Sequence, residues 1–261
     1  MTGRLRYLLA GPLAACLGLI APGATGLAMA DHPAECFTAD AQAAIVSFPL
    51  PNVARAIAAK KLSILVVGAG SSQLPGANGT KNAYPARLQA ALAEKLPGIE
   101  VKLATDVKAR RTAAEMVKVL PSALSDAKPA LMVWQTATVD AMESVEPERF
   151  TQALDKGLNI ARSAGADVIF VNPQYSPRTE SMIALGTYVD NMRWVALQQE
   201  IPLFDRFNIM KAWSDLGTFD LYSATKKLDM AERVHDCLGR LLAGLVLDAS
   251  KSGTPQNGSG R

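Results

Sequence analysis

The sequence predicts an α/β fold of three layers, in which a five-stranded parallel sheet lies between two layers of helices. Short apolar runs typical of buried strands alternate along the chain with longer segments whose apolar residues recur at helical spacing. The first run, residues 62–68, is almost entirely apolar and ends in a glycine-rich turn, as a strand buried on both faces does. Because crossovers between parallel strands are right-handed, a doubly wound α/β/α sandwich is the simplest topology that fits.

The elements follow from these runs in chain order. The predicted strands are residues 62–68, 98–103, 129–135 and 167–172, with a last one that begins at 201–204. The predicted helices cover residues 53–60, 82–96, 113–124, 147–164, 181–199 and 230–247. Ligands of such sheets bind at the carboxyl ends of the strands, so the loops that follow the strands form the candidate site.

Composition favours one globular domain. The chain has 261 residues, of which 49% are hydrophobic and 20% charged, enough to bury one sizeable core. Residues 31–61 are a lead-in, residues 62–248 the domain, and residues 249–261 a polar tail expected to be disordered. The net charge is only +3, and no basic cluster is interleaved with aromatic residues, so we expect no nucleic-acid partner.

No motif indicates a cofactor or a metal. The glycines within residues 68–79 lack the spacing of a dinucleotide-binding loop. The two histidines, His32 and His235, are far apart in sequence and form no metal-ligand motif. We therefore expect neither group.

The first thirty residues have the pattern of a secretory signal peptide. A basic start precedes an apolar run over residues 7–20, and residues 28–30, Ala-Met-Ala, form a small-x-small cleavage site. We predict export to the periplasm or the medium, cleavage after Ala30, and no membrane span in the mature chain. A lipoprotein box ending at Cys16 is the competing interpretation, and the apolar residues directly after it argue against that.

Two cysteines remain after such a cleavage. They are Cys36, near the new N-terminus, and Cys237, in the last predicted helix. An oxidising compartment favours a bridge between them, which would close a loop of about two hundred residues and stabilise the fold by a few kcal/mol. Two buried free thiols are the alternative.

Sequence blocks spread along the chain resemble the SGNH/GDSL hydrolase family, in particular its exported bacterial members. In order, the blocks are LSILVVGAGSS, AYPARLQAALAEKLPGIEV, MVWQTAT, AGADVIFVNPQYSPR, LFDRFNIMKAW and HDCLGRLLA. The resemblance extends over residues 51–247. It implies a flavodoxin-like three-layer fold and, for family members, activity as esterases, lipases, carbohydrate deacetylases or related acyl hydrolases.

The same resemblance implies where the family's catalytic groups would stand. Family members carry a nucleophilic serine after the first strand, a glycine and an asparagine of the oxyanion hole, and a late Asp-x-x-His. In this sequence those positions hold Gly70, Val107, Val139, Lys226 and Asp229, and Ala137 replaces a further glycine in a family pattern WQxGTN.

These substitutions predict a degenerate member of the family. A glycine cannot attack a carbonyl carbon, and without an imidazole no group takes and returns the proton. Loss of one oxyanion-hole donor alone costs about 10²-fold or more in rate. We therefore expect a pseudoenzyme whose cleft binds a small molecule or saccharide, or an envelope protein.

A divergent ester hydrolase is the alternative function. Ser71 or Ser72 would then be the nucleophile, and Glu232-x-x-His235 repeats the acid-x-x-His spacing. The helical pattern over residues 231–247 favours a less specific interpretation, in which His235 lies on a helix surface among acidic neighbours. The two serines are then ordinary turn residues.

Polar side chains near the predicted strand ends are candidate ligand contacts. They are Gln135, Gln174, Tyr175 and Arg178. Trp134 is either a wall of the cleft or a core residue, because it still belongs to an apolar strand. The basic run at residues 108–111, together with Lys226, would attract an anionic ligand, and a solvated basic loop fits the same pattern.

Overall fold

A computed structural model describes Cys36 and residues 38–222 and 228–252 of the chain. The strands are β1 (Ile45–Val46), β2 (Lys61–Gly68), β3 (Glu100–Val107), β4 (Leu131–Gln135), β5 (Asp167–Val171) and β6 (Leu203–Phe204). The helices are α1 (Ala39–Ala43), α2 (Pro51–Ala58), α3 (Gly79–Asn82), α4 (Tyr84–Lys95), α5 (Ala113–Ala127), α6 (Thr138–Met142), α7 (Pro147–Ser163), α8 (Pro177–Met182), α9 (Gly186–Gln198), α10 (Arg206–Asp215) and α11 (Leu228–Ser252). The predicted signal peptide with Cys16, Lys226 and the end of the predicted tail lie outside the described residues.

The strands form one sheet in the order β1-β6-β5-β4-β2-β3. Strands β2 to β6 are parallel, and β1 pairs antiparallel with β6, Ile45 opposite Phe204. The predicted α/β fold and its five parallel strands are therefore confirmed, and the sheet has one further strand, the antiparallel edge strand β1, that was not predicted. A strand of two residues is too short to show the alternation by which a sequence reveals strands.

Several elements differ from their predicted bounds, and two of the helices show the clearest differences. The predicted helix over residues 181–199 is divided between α8 and α9, because Ile183 has extended backbone angles (φ −134°, ψ 126°) and Gly186 begins the next helix. Helix α11 continues through residues 249–252, which were assigned to the tail. Within the described part of the chain, no helix is both long and apolar enough to cross a bilayer.

Helix α10 has no counterpart in the prediction. It begins directly after β6, where the carboxylate of Asp205 accepts a hydrogen bond of 3.0 Å from the N–H of Asn208 and caps the helix. Its first residue is Arg206, which the short strand β6 and this cap bring to the carboxyl edge of the sheet.

The helices pack in two groups around the sheet. Helices α5, α7 and α9 pack side by side, and α4 packs against α11, which also contacts α2.

Trp134 of β4 is fully buried, with its ring edge-on to Phe170 at 5.7 Å. A Cβ at Gly157 of α7 would lie 2.3 Å from Trp134 Cη2, so the glycine makes room for the indole. Trp134 is therefore a core residue.

A disulfide joins Cys36 to Cys237 of α11, with their Cα atoms 5.1 Å apart. The predicted bridge is confirmed, and the alternative of two free thiols is wrong. Because the two cysteines are 201 residues apart in sequence, the bridge attaches the start of the described chain to its last helix.

The topology locates the functional edge of the sheet. From β2 the chain runs to β3 on one side, and it then returns to β4 on the other side of β2. The loops after β2 and β4 therefore leave the sheet in different directions and open a crevice between them. Doubly wound sheets bind their ligands at such a switch point.

Candidate functional site

A cleft of 810 Å³ lies at this switch point. Its walls come from the turn after β2, from α6, and from the first two turns of α11. Most of the wall is apolar, and the apolar side chains include Leu74, Val139, Met142, Met210, Leu221, Met230 and Val234. The polar lining includes Ser71 and the buried His235. The cleft is thus mostly apolar, with a few polar groups in its wall.

Gly70, at the family's nucleophile position, begins a 3₁₀ turn directly after β2 and lines the cleft. A Cβ added there would meet only Ala109, at 3.7 Å, so the turn has room for a side chain. Gly68 differs, because a Cβ at Gly68 would lie 2.5 Å from Ser72 Oγ. The packing therefore requires a glycine at position 68 and does not require one at position 70.

The other substituted positions offer little that a reaction would use. Val139 lines the cleft with an apolar side chain, and Val107 ends β3 opposite Gly68. Ala137 keeps a left-handed backbone (φ 82°), the conformation for which glycine is suited. Asp229 is exposed in the first turn of α11 and does not line the cleft.

Ser72 belongs to a buried network below the cleft. Its hydroxyl lies 3.0 Å from the Tyr84 hydroxyl and donates to Gln135 Oε1 at 2.9 Å. The same Gln135 oxygen accepts from the N–H of Ala69 at 3.0 Å. Burial raises the pKa of Tyr84 above its ordinary value. These bonds fix the turn after β2 to the end of β4.

Arg206 is the fully buried charge of the site. Its Nε donates to the carbonyl oxygen of Asn172 at 3.2 Å, its Nη1 to the Ser71 carbonyl at 3.2 Å, and its Nη2 to Ser71 Oγ at 3.0 Å. Burial lowers the pKa of Arg206 to about 10, which leaves the guanidinium charged at neutral pH. The charge lies directly behind the hydroxyl that lines the cleft.

No carboxylate among the described residues forms an ion pair with Arg206. The neighbouring acid, Asp205, is buried and paired with Arg193, whose Nη2 lies 2.7 Å from its Oδ2. The other oxygen of Asp205 accepts from Asn172 Nδ2 at 2.6 Å. The negative charge of Asp205 is therefore balanced by Arg193. The positive charge of Arg206 has no carboxylate partner among the described residues.

His235 is buried against the start of α4, and the expectation of a surface histidine is wrong. Its Nδ1 accepts a hydrogen bond of 2.9 Å from the N–H of Tyr84. Gly239, one turn later, brings the two helices together, because its Cβ would lie 2.5 Å from the Cβ of Arg87. Close helix packing thus turns His235 inward.

The hydrogen bond from the Tyr84 N–H determines which ring nitrogen of His235 carries the hydrogen. Because Nδ1 accepts, the hydrogen of the neutral ring is on Nε2, which can donate and cannot accept. Burial, with a further contribution from the charge of Arg206, lowers the pKa of His235 to about 3. Near neutral pH, His235 is therefore a neutral hydrogen-bond donor to the cleft.

The residues of the alternative hydrolase share one cleft without forming a relay. Among the described residues, Ser71 Oγ bonds to Arg206 and His235 bonds to Tyr84, and no hydrogen bond joins Ser71 to His235. Glu232 accepts from Asn82 Nδ2 at 2.8 Å instead of orienting His235.

Of the four candidate ligand contacts, the structure places only Gln174 in the lining of the cleft. Gln135 is fully buried in the network with Ser72, and Tyr175 is buried edge-on to Phe207 at 5.3 Å. Arg178 is exposed on α8. Gln135 is the last residue of the buried strand β4, and Tyr175 lies in the loop between β5 and α8 with its ring packed into the core.

The basic run after β3 is divided. Arg110 is exposed and lines the cleft. Arg111 is buried in an ion pair with Asp106, in which Arg111 Nη2 lies 3.0 Å from Asp106 Oδ1. Only part of the predicted basic run therefore faces the cleft. Sequence reasoning missed the cation that matters more, Arg206, although its place directly after the last predicted strand was a usable signal.

Comparison with known proteins identifies relatives of the chain. The model of the non-GDSL lipase-like family matches residues 35–252, most of the sequence. This match and the solved structures below confirm the resemblance to SGNH/GDSL hydrolases. No curated protein matches the chain.

Several solved structures share the fold at low sequence identity. TesA is 22% identical with a TM-score of 0.53, covering 70% of this chain and 99% of that one. A lipolytic protein of the G-D-S-L family from Desulfitobacterium hafniense DCB-2 is 18% identical with a TM-score of 0.52, covering 71% and 99%. A catalytic mutant of Axe2, an acetylxylan esterase from Geobacillus stearothermophilus, is 13% identical with a TM-score of 0.56, covering 71% and 93%.

Proposed function

The chain belongs to the non-GDSL lipase-like family, and we propose that it is a member without catalytic activity whose cleft binds an apolar ligand. The observation that carries the proposal is the hydrogen bond from the Tyr84 N–H to His235 Nδ1. It leaves His235, the one histidine among the described residues that line the cleft, unable to take a proton from a serine.

The missing nucleophile supports the same proposal. Ester hydrolysis by this kind of site needs a hydroxyl, a base that removes its proton, and donors at the developing oxyanion. Gly70 supplies no hydroxyl, although the turn has room for one, and Val139 supplies no donor. Ser71 has a hydroxyl, and its hydrogen-bond partner is the cation Arg206 rather than a base.

The lining of the cleft supports an apolar ligand. Three methionines, Met142, Met210 and Met230, form part of its wall. Thioether side chains are flexible and polarisable, so they adapt to apolar ligands of different shapes. A volume of 810 Å³ is within the range of pockets that hold small organic molecules.

We also propose that the protein acts outside the cytoplasm, in the periplasm or the medium, after cleavage following Ala30. The Cys36–Cys237 disulfide supports this, since such bonds persist in oxidising compartments. The signal-like N-terminus supports it independently. An envelope protein or a saccharide that carries an acyl group is a natural source of the apolar ligand there.

The purified mature protein is expected to bind the neutral fluorophore N-phenyl-1-naphthylamine and not to hydrolyse p-nitrophenyl butyrate above the buffer rate. Met142→Glu is expected to weaken probe binding about fivefold, because it places a charge on an apolar wall. Leu197→Glu is the matched control, an exposed apolar residue of α9 outside the cleft. Equal probe affinity in both variants, or no binding by folded protein, would contradict the proposal.

A divergent ester hydrolase is the second candidate. The observation in its favour is that Arg206 donates to Ser71 Oγ, since a neighbouring cation stabilises an alkoxide. Hydrolysis of p-nitrophenyl butyrate that is lost in both Ser71→Ala and His235→Asn would establish it and exclude the non-catalytic function.

A further inference from the structure

We infer that the ligand of the cleft is an aliphatic carboxylate, whose head lies against Ser71 and His235 in front of Arg206 and whose tail lies along the apolar wall. The inference rests on the proposed function, because it presumes that the cleft holds a ligand that it does not cleave.

The first support is the unmatched charge. Arg206 is 1% exposed, its guanidinium has only hydroxyl and carbonyl oxygens as hydrogen-bond partners, and it forms no ion pair among the described residues. A buried cation without an anion is costly, and an anion placed near it recovers much of that cost. A ligand carboxylate at Ser71 is that anion, with the hydroxyl between the two charges.

The second support is a pair of hydrogen-bond donors on residues that line the cleft. Ser71 Oγ accepts from Arg206 Nη2, so the hydroxyl hydrogen remains available for a ligand. His235 presents Nε2–H, because its Nδ1 is already occupied by the Tyr84 N–H. Two donors on residues that line one cleft match the two oxygens of a carboxylate.

A third polar group has no partner within the described structure. The hydroxyl oxygen of Thr138, on a residue that lines the cleft, is buried and makes no hydrogen bond. Buried hydroxyls are nearly always paired in native structures, so this oxygen indicates a missing bonding partner. The oxygen itself has almost no accessible surface, so a head group in the cleft would bond to it only after the Thr138 side chain rotates toward the cleft.

The remaining charges of the cleft lie toward solvent. Arg110, Glu143 and Asp220 line it with exposed side chains, where water and salt screen them. Glu143 and Asp220 are the only carboxylates among the described residues that line the cleft. Arg206 is buried and bonded to Ser71, so its charge is weakly screened and acts strongly at the Ser71 hydroxyl.

The test compares three ligands that share the same alkyl chain and differ in the charge of the head group. Titration calorimetry at pH 7 with decanoate, 1-decanol and decylammonium separates the contribution of the head from that of the chain. We expect decanoate to bind at least about tenfold more tightly than 1-decanol, and decylammonium to bind most weakly. If decanoate and 1-decanol bind equally, the inference is wrong and the apolar binding function stands. If none of the three binds to folded protein, both are wrong.

Variants test whether the preference for decanoate over 1-decanol depends on Ser71 and Arg206. Ser71→Ala is expected to reduce the preference for decanoate over 1-decanol about tenfold, whereas Ser63→Ala, a matched change at a distant hydroxyl of β2, leaves it unchanged. Arg206→Gln is expected to abolish the preference. If Arg206→Gln does not fold, the titrations of wild-type protein and of Ser71→Ala still test the inference. A preference that persists in Ser71→Ala overturns the assignment.

Discussion

Replacing Cys36 and Cys237 together by alanine is expected to lower the free energy of unfolding by about 5 kcal/mol. The bridge closes a loop of 201 residues, and the chain entropy that a crosslink removes from the unfolded state grows with the logarithm of loop length. Both sulfurs lie in the core, so alanine leaves no unpaired polar group there. The loss should be seen as a lower urea midpoint at pH 7.

Reduction provides the control for this prediction. Wild-type protein unfolded in the presence of a reductant should show the same midpoint as the double variant, because both lack the crosslink. A loss below about 1 kcal/mol would show that the unfolded chain is already compact near these cysteines, and that the loop-entropy argument does not hold for this protein.

Stability is expected to fall by about 3 kcal/mol more in the wild type than in His235→Asn between pH 7 and pH 4. The pKa of His235 is about 3 in the folded protein, against 6.5 for an ordinary histidine. Between those values the unfolded chain binds the proton and the folded chain does not. The stabilisation from a neutral His235 is therefore complete above pH 6.5 and is lost as the pH falls toward 3.

Asparagine is the appropriate replacement, because its Oδ1 can accept the N–H of Tyr84 in place of Nδ1 and does not titrate. Arg206 stays charged throughout this pH range, and the carboxyl groups with raised pKa values, Asp140 and Asp167, are common to both proteins. Urea unfolding at pH 4, 5, 6 and 7 gives the comparison. Parallel pH profiles would show that His235 is not buried as a neutral ring.

The sequence contained enough information for the main strands and helices, because their apolar periodicity is local. Elements determined by only a few residues were missed for the same reason. The two residues of β1 carry no period, and α10 depends on a cap that is visible only once Asp205 is known to follow a short strand. The disulfide was predictable because only two cysteines remain beyond the signal-like segment.

The candidate site was predicted in part. The turn after β2 and the positions of Gly70 and Val139 follow from the resemblance, and the structure places both residues in the cleft. Arg206 and Ser71 meet across 135 residues of sequence, which no local pattern encodes. The burial of His235 depends on how closely α11 approaches α4, a property of the packed pair rather than of either helix.

Because no base is bonded to Ser71 among the described residues, its hydroxyl should not react with reagents that modify activated serines. Incubating the mature protein with a long-chain fluorophosphonate, which reacts with activated serines, and then measuring the intact mass tests that claim directly, with an active serine esterase as the positive control. We predict no gain in mass. A stoichiometric adduct that is absent from Ser71→Ala would show that Ser71 is an activated nucleophile. It would contradict the non-catalytic function and support an ester hydrolase.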